Sequence, residues 1–202
     1  MAVELPELLV PDAAGWRTWL AQDQPEPRGV WLILAKKGPA GPTSLTYAQA
    51  LDEALCQGWI DGQAGRRDEA TYRQRFTPRR ARSPWSQRNV GLVERLTAEG
   101  RMQPGGLAEV VRARGDGRWA AAYAGAASIE VPADLAAALA AEPAAAAMFD
   151  LLSGQNRYAV LYRLQAIKRA DTRTRRVQEY VAMLGRGETI YPQRRPGVAP
   201  PL

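Results

Sequence analysis

The 202-residue chain has no histidine, one cysteine and only three lysines. Without histidine there is no Ser-His-Asp triad, no Cys-His dyad and no imidazole ligand for zinc. The lone Cys56 excludes an intramolecular disulfide and any multi-thiolate metal or iron–sulfur site. Long apolar runs are missing as well: nothing approaches the roughly 20 apolar residues of a membrane span. The Ala-rich stretch from Ala133 to Met148 is broken by Asp134, Glu142 and Pro143. The N-terminus carries Glu4 and Glu7 where a secretory signal would be basic. A cytoplasmic location is therefore expected, with no metal and no cofactor. Carboxylates, arginines, hydroxyls and aromatics remain for chemistry.

Arginine supplies 24 of the 27 positive charges, and the formal net charge is +6. That figure hides an asymmetry. From Arg66 to Arg88 eight arginines stand against Asp68 and Glu69. From Arg157 to Arg186 eight basic residues stand against Asp171 and Glu179. Each segment is +6, and the rest of the chain is −6. Planar guanidinium groups suit bidentate anion recognition, so these two segments are where an anionic partner is expected.

Local patterns order the chain. Asp12 caps a helix to about Gln22 with Trp16, Trp19 and Leu20 on its apolar face. Gln24 to Pro27 breaks it. The apolar run Gly29 to Ala35 reads as a buried strand. Thr46 and Gln49 form a capping box for a helix that Gly58 ends. Trp59 to Asp61 and Thr71 to Thr77 read as strands, the second with Tyr72 and Phe76 on one face and Arg73 and Arg75 on the other. Ser83-Pro84 has the form of a helix start. Gln103 to Arg114 and Arg118 to Ala124 look helical. Beyond Val131 the pattern is helices only, the last running from Thr172, capped by Asp171, to Leu184. The fold class is thus α+β: a small sheet with flanking helices over residues 1–128, then an all-helical segment over 129–185 packed on it. A Pro/Arg tail, 186–202, is expected to be disordered or draped on the surface.

The sharpest feature is Arg75 to Asn89, where a strand ends in an arginine-dense loop that feeds a helix. Free backbone N–H groups and the helix dipole favour anions there. The candidate site comprises Arg75, Thr77, Arg79, Arg80, Ser83, Trp85, Ser86 and Asn89, and its ligand is a small phosphate or carboxylate. The competing reading is that Ser83 only caps its helix, the arginines pair with acids, and Trp85 is core. Asp61, in Gly58-Trp59-Ile60-Asp61-Gly62, is the carboxylate best placed to meet those arginines; as a general acid or base it would need a second group. No catalytic set emerges, and the reading is of a binding protein rather than an enzyme. One alternative is nucleic-acid binding through both basic segments, the second with Arg169, Arg173 and Arg176 on one helical face. Another is an enzyme using Asp61 on an anionic substrate.

A family resemblance emerges from these motifs. Gly29-Val30-Trp31-Leu32 with Lys36-Lys37, Leu45-Thr46-Tyr47, Glu53-Ala54-Leu55-Cys56 and Gly58-Trp59-Ile60-Asp61-Gly62 come first. Arg75-Phe76-Thr77-Pro78-Arg79-Arg80, Ser83-x-Trp85-Ser86-x-x-Asn89, Val131-Pro132-x-Asp134-Leu135 and Thr172-Arg173-x-Arg175-Arg176 follow. In this order they resemble the YdeI/OmpD-associated family of bacteriocin-protection proteins from about Trp16 to Leu184, with Gln57 departing from the aromatic expected there. The resemblance implies a role in bacteriocin, antimicrobial-peptide and stress resistance, a helical unit at about Val131–Leu184, and no catalytic residue set. It leaves the protein partner unknown.

Overall fold

The computed structural model describes residues 5–22, 28–38 and 41–193. The Gln24–Pro27 break and the tail beyond Gln193 lie outside the described residues. The chain divides into two compact units, Met1–Ala122 and Tyr123–Leu202. No helix among the described residues is long and apolar enough to cross a membrane.

The first unit is a four-stranded sheet with helices. Strand β1 (Glu7–Leu8) runs parallel to β2 (Val30–Ala35), which pairs antiparallel with β4 (Thr71–Pro78), which pairs antiparallel with β3 (Trp59–Arg66). The two-residue β1 is too short to leave a sequence pattern. Side chains opposite one another across a ladder share a face. Val30 pairs with Phe76, Leu32 with Gln74 and Leu34 with Tyr72, so these face the core formed with the helices. Arg73 and Arg75 take the other face, as the alternation predicts, and the Arg73 guanidinium lies 4.7 Å from the Trp31 ring. Asp61 pairs with Phe76 and therefore belongs to the helix side; a bulge follows between Asp61 and Ala64.

Helix α1 (Ala13–Ala21) is capped by the Asp12 side chain and buries Trp16 completely. Trp16 stacks on Trp19 at 5.1 Å, meets Trp59 edge-on and Phe76 at a tilt, and donates Nε1 to the Ala50 carbonyl at 3.0 Å. Ala50 sits on α2 (Tyr47–Cys56), which opens with the expected Thr46–Gln49 capping box. Two further helices follow, α3 (Gln87–Ala98) and α4 (Pro104–Gly115). The start of α4 lies against the end of α2: the Gln103 N–H donates to the Cys56 carbonyl at 3.0 Å, and glycines 105 and 106 let the backbones approach. Residues Arg118 to Ala124 are turns and irregular chain, not the helix their spacing suggests. Gly117, at φ +79°, begins this departure from the α4 path.

Glu53 pins the helices together. Its carboxylate, in a residue only 4% exposed, takes a bidentate fork from Arg17 at 2.8 and 2.7 Å and a third bond from Arg101 at 2.8 Å. Burial pushes this carboxyl upward, yet the Arg17 and Arg101 guanidinium groups outweigh it and hold the group below its ordinary value. A depressed folded-state pKa contributes stability above the unfolded value, about 4.3, that is lost as pH falls through the folded one. Glu53→Gln is therefore expected to flatten the acid limb of stability against pH in urea titrations. An unchanged limb would show that other carboxylates set it.

The second unit is helical: α5 (Ala133–Ala140), α6 (Pro143–Asp150), α7 (Gly154–Gln165) and α8 (Ala170–Gly185). Leu135, Leu139, Phe149, Leu161, Leu164 and Leu184 centre its core. Helix α8 begins two residues before the expected Thr172, so Asp171 lies inside the first turn and is not the cap. The start of the tail is held: Asn156, 1% exposed, donates to the Tyr191 carbonyl at 2.9 Å and to the Gln193 side chain at 2.8 Å, and accepts from the Tyr191 N–H at 2.8 Å.

Candidate functional site

The loop from β4 to α3 is built differently from its sequence reading. Ser86, not Ser83, caps α3, accepting the Asn89 N–H at 3.1 Å, and the helix starts at Gln87. Both serines carry a capping signal; tertiary contacts select the later one. Ser83 closes a tight turn, its hydroxyl accepting the Arg80 N–H at 3.0 Å. The Ser83 carbonyl accepts from Arg118 Nη1 at 2.8 Å. That bond, with the burial of Trp85, keeps residues 83–85 out of the helix. The pre-helical turn therefore belongs to the loop.

The candidate residues take separate places. Arg75 lies on the sheet face away from the helices, along Gly62, where a Cβ would meet its side chain at 3.5 Å. Thr77 shares that face, opposite Ile60. Arg79 is only 6% exposed; it donates to the Pro84 carbonyl and stacks 3.5 Å from the centre of the Trp85 ring. Trp85 is 2% exposed and packs on Trp119 at 4.9 Å, so it is a core residue rather than a platform for a flat ligand. Arg114 completes the stack, 5.1 Å from Trp119. Arg80 is exposed, and Asn89 is buried beneath the helix start. Arg75 and Arg79 thus do not converge, because one follows the sheet face while the other turns in against Trp85.

Buried donors without a partner among the described residues occur on the sheet, at Arg73 Nε and Arg75 Nε, and around the loop. Trp85 Nε1 and Arg118 Nη2 are buried donors with no acceptor among the described residues. Arg75, Arg80, Arg82 and Arg88 have no ion pair with a carboxylate among the described residues, although other arginines of this unit, such as Arg17, Arg67, Arg73, Arg95 and Arg101, do. Arg118 had no signal in the sequence beyond a turn motif, since its role rests on a contact 35 residues away.

Asp61 does not meet the arginines of the neighbouring strand. Its Oδ2 accepts the Tyr47 hydroxyl at 2.8 Å, and the Arg88 guanidinium lies 5.4 Å from the Tyr47 ring centre. Burial first, then the hydrogen bond to Asp61, pushes the Tyr47 phenol well above its ordinary value, so it stays protonated and donates. Lys36 lies at the other end of β2, its ammonium on the Asp68 carbonyl. Cys56 is buried, and burial raises its thiol to about 11, which keeps it protonated and unreactive at neutral pH. No group of His, Cys, Asp and Glu among the described residues could hold a metal.

Five of the eight basic residues of the second segment have an acidic partner among the described residues. Arg173 forks onto Asp134 at 2.6 and 3.0 Å and donates to the Leu164 carbonyl at 2.7 Å, joining α8 to α5 and α7. Arg169 pairs with Asp171, Arg175 and Arg176 with Glu179, and Arg186 with Glu188. Residues 8–109, just over half of the chain, match the family model described as Domain of unknown function (DUF8412). Residues 128–187 match the model described as Bacteriocin-protection, YdeI or OmpD-Associated. The chain belongs to the DUF8412 family and carries a YdeI/OmpD-associated domain. No curated protein and no solved structure matches it.

The DUF8412 match holds strands β2 to β4, Glu53, Asp61 and the whole Arg75–Asn89 stretch, so the motifs from Gly29 to Asn89 fall in a different family model from those beyond Val131. The YdeI/OmpD-associated domain coincides with the helical unit. Within it, Asp134 of Val131-Pro132-x-Asp134-Leu135 and Arg173 of Thr172-Arg173-x-Arg175-Arg176 are the two ends of one ion pair. Those motif residues hold the domain together.

Proposed function

We propose that this bacteriocin-protection-type protein acts in the cytoplasm by holding a small anion, a phosphate or carboxylate, at the loop between β4 and α3, with no catalytic step. The observation that carries this reading is the pair of buried donors, Trp85 Nε1 and Arg118 Nη2, without an acceptor among the described residues. A buried donor left unsatisfied costs about 1–3 kcal/mol, and native structures satisfy nearly all of them. Arg118 is anchored at the turn by its Nη1 bond to the Ser83 carbonyl, so an anion oxygen beside the turn would accept from its Nη2. The exposed guanidinium groups of Arg80 and Arg82, which no carboxylate answers among the described residues, would supply the outer shell. The nucleic-acid alternative loses support because Arg169, Arg173 and Arg176 each have an acidic partner.

Isothermal titration calorimetry of the full chain with inorganic phosphate, and separately with citrate, tests the proposal. Saturable binding of one of them is expected, weakened about tenfold or more by Arg118→Lys and several-fold by Arg80→Gln with Arg82→Gln. Thermal denaturation gives a second reading, since a ligand bound only to the folded form adds stability of about 2.7 kcal/mol at 100 times its dissociation constant. Excluded salts such as phosphate also stabilise without binding. The gain must therefore exceed that of Arg118→Lys at the same concentration. Equal gains in both proteins, with no calorimetric saturation, would overturn the proposal.

A further inference from the structure

Among the described carboxylates, four are withdrawn from solvent to half-burial or more: Asp52, Glu53, Asp61 and Glu109. Three are answered by arginine. Arg95 meets Asp52 at 2.7 Å, Arg17 and Arg101 meet Glu53, and Arg112 meets Glu109 at 2.6 Å. Asp61 alone has a phenol for its partner, and among the described residues nothing donates to its Oδ1. That oxygen is not buried and keeps contact with solvent, so it is open to a donor from a ligand.

A cation stands nearby without pairing. Arg88 is exposed, lies over the Tyr47 ring and forms no ion pair with a carboxylate among the described residues. Tyr47 interacts with both charges: its hydroxyl donates to Asp61, and the Arg88 guanidinium lies near its ring and acts on its oxygen. Three elements fix this arrangement: Tyr47 is the first residue of α2 after its capping box, Asp61 is held in register with Phe76 on β3, and Arg88 is in the first turn of α3.

We infer that Tyr47, Asp61 and Arg88 form a binding site for a small zwitterion, its ammonium group on Asp61 and its phosphate or carboxylate on Arg88. The phenol orients Asp61, and Arg88 keeps no carboxylate partner among the described residues. A ligand with only one charge would satisfy one side and leave the other unanswered. The inference is independent of the anion proposed at the Arg118 turn.

The test uses O-phosphoethanolamine as the zwitterionic probe, with inorganic phosphate and ethanolamine as its single-charge halves, in calorimetric titrations of the full chain. Phosphoethanolamine is expected to bind at least tenfold more tightly than either half. Asp61→Asn and Arg88→Gln should each abolish that preference, and Tyr47→Phe should reduce it several-fold. The titrations are run in Arg118→Lys, which removes the phosphate site proposed at the turn, so that the comparison reports this site alone. Circular dichroism and urea midpoints of the variants check folding, and Arg88, being exposed, is the variant least coupled to the fold. Equal affinity for phosphoethanolamine and phosphate, or a preference that survives both Asp61→Asn and Arg88→Gln, would overturn the inference.

Discussion

Trp16→Ala is expected to destabilise the first unit by about 3–5 kcal/mol, the range for removing a large aromatic from a packed interior. Trp16 has no exposed surface and touches three other aromatic rings, so the cavity it leaves is lined by side chains already committed elsewhere. It also donates the hydrogen bond that ties α1 to the Ala50 carbonyl on α2. Trp16→Phe keeps most of the volume and loses that bond, so it should cost about 1–2 kcal/mol. All six tryptophans lie before residue 123, within the first unit. Urea denaturation followed by tryptophan fluorescence therefore reports that unit alone. A loss below about 1 kcal/mol for Trp16→Ala would refute the central place given to this ring.

Gly106→Ala should cost about 3 kcal/mol, the upper end of ordinary overpacking. An added Cβ would lie 2.2 Å from the Cys56 carbonyl oxygen and 2.8 Å from that of Leu55. Both are backbone atoms at the end of α2, so no side-chain rotation relieves the clash. Pushing α4 away would also lengthen the 3.0 Å bond from the Gln103 N–H to Cys56. Gly115, at the other end of the same helix, has nothing within 4 Å of the corresponding position. Gly115→Ala is expected to be neutral or to stabilise by about 0.5 kcal/mol through a less flexible unfolded chain. Similar denaturation midpoints for the two variants would mean that α4 yields easily and that the close contact is not selective.

Elements with local signals were legible in the sequence. The β2 run, the Thr46–Gln49 capping box and the alternation of Phe76 with Arg75 each need only neighbours within four residues, and each lies where that logic places it. The candidate site was legible as a stretch of chain and not as an arrangement. Ser83 and Ser86 carry the same capping chemistry, and the choice between them depends on Arg118 reaching back to the Ser83 carbonyl. Likewise Asp61 was recognisable as an isolated acid beside a basic segment, whereas its partner Tyr47 comes from the far end of a helix 14 residues earlier. Spacing carries no information about such a meeting. The apolar residues from Arg118 to Ala124 suggested a helix because amphipathic spacing cannot register the turn at Gly117.

The bonds from Asn156 bear on where the second unit can be cut. The YdeI/OmpD-associated match ends at residue 187, and the last helix ends at Gly185. A fragment trimmed to either limit would lack Tyr191 and Gln193, and the Asn156 amide would lose three of the bonds that satisfy it in the interior. The Ser153 N–H at the start of α7 would lose its acceptor on Gln193 as well. Sequence similarity therefore stops short of the physical end of this folding unit, which extends at least to Gln193.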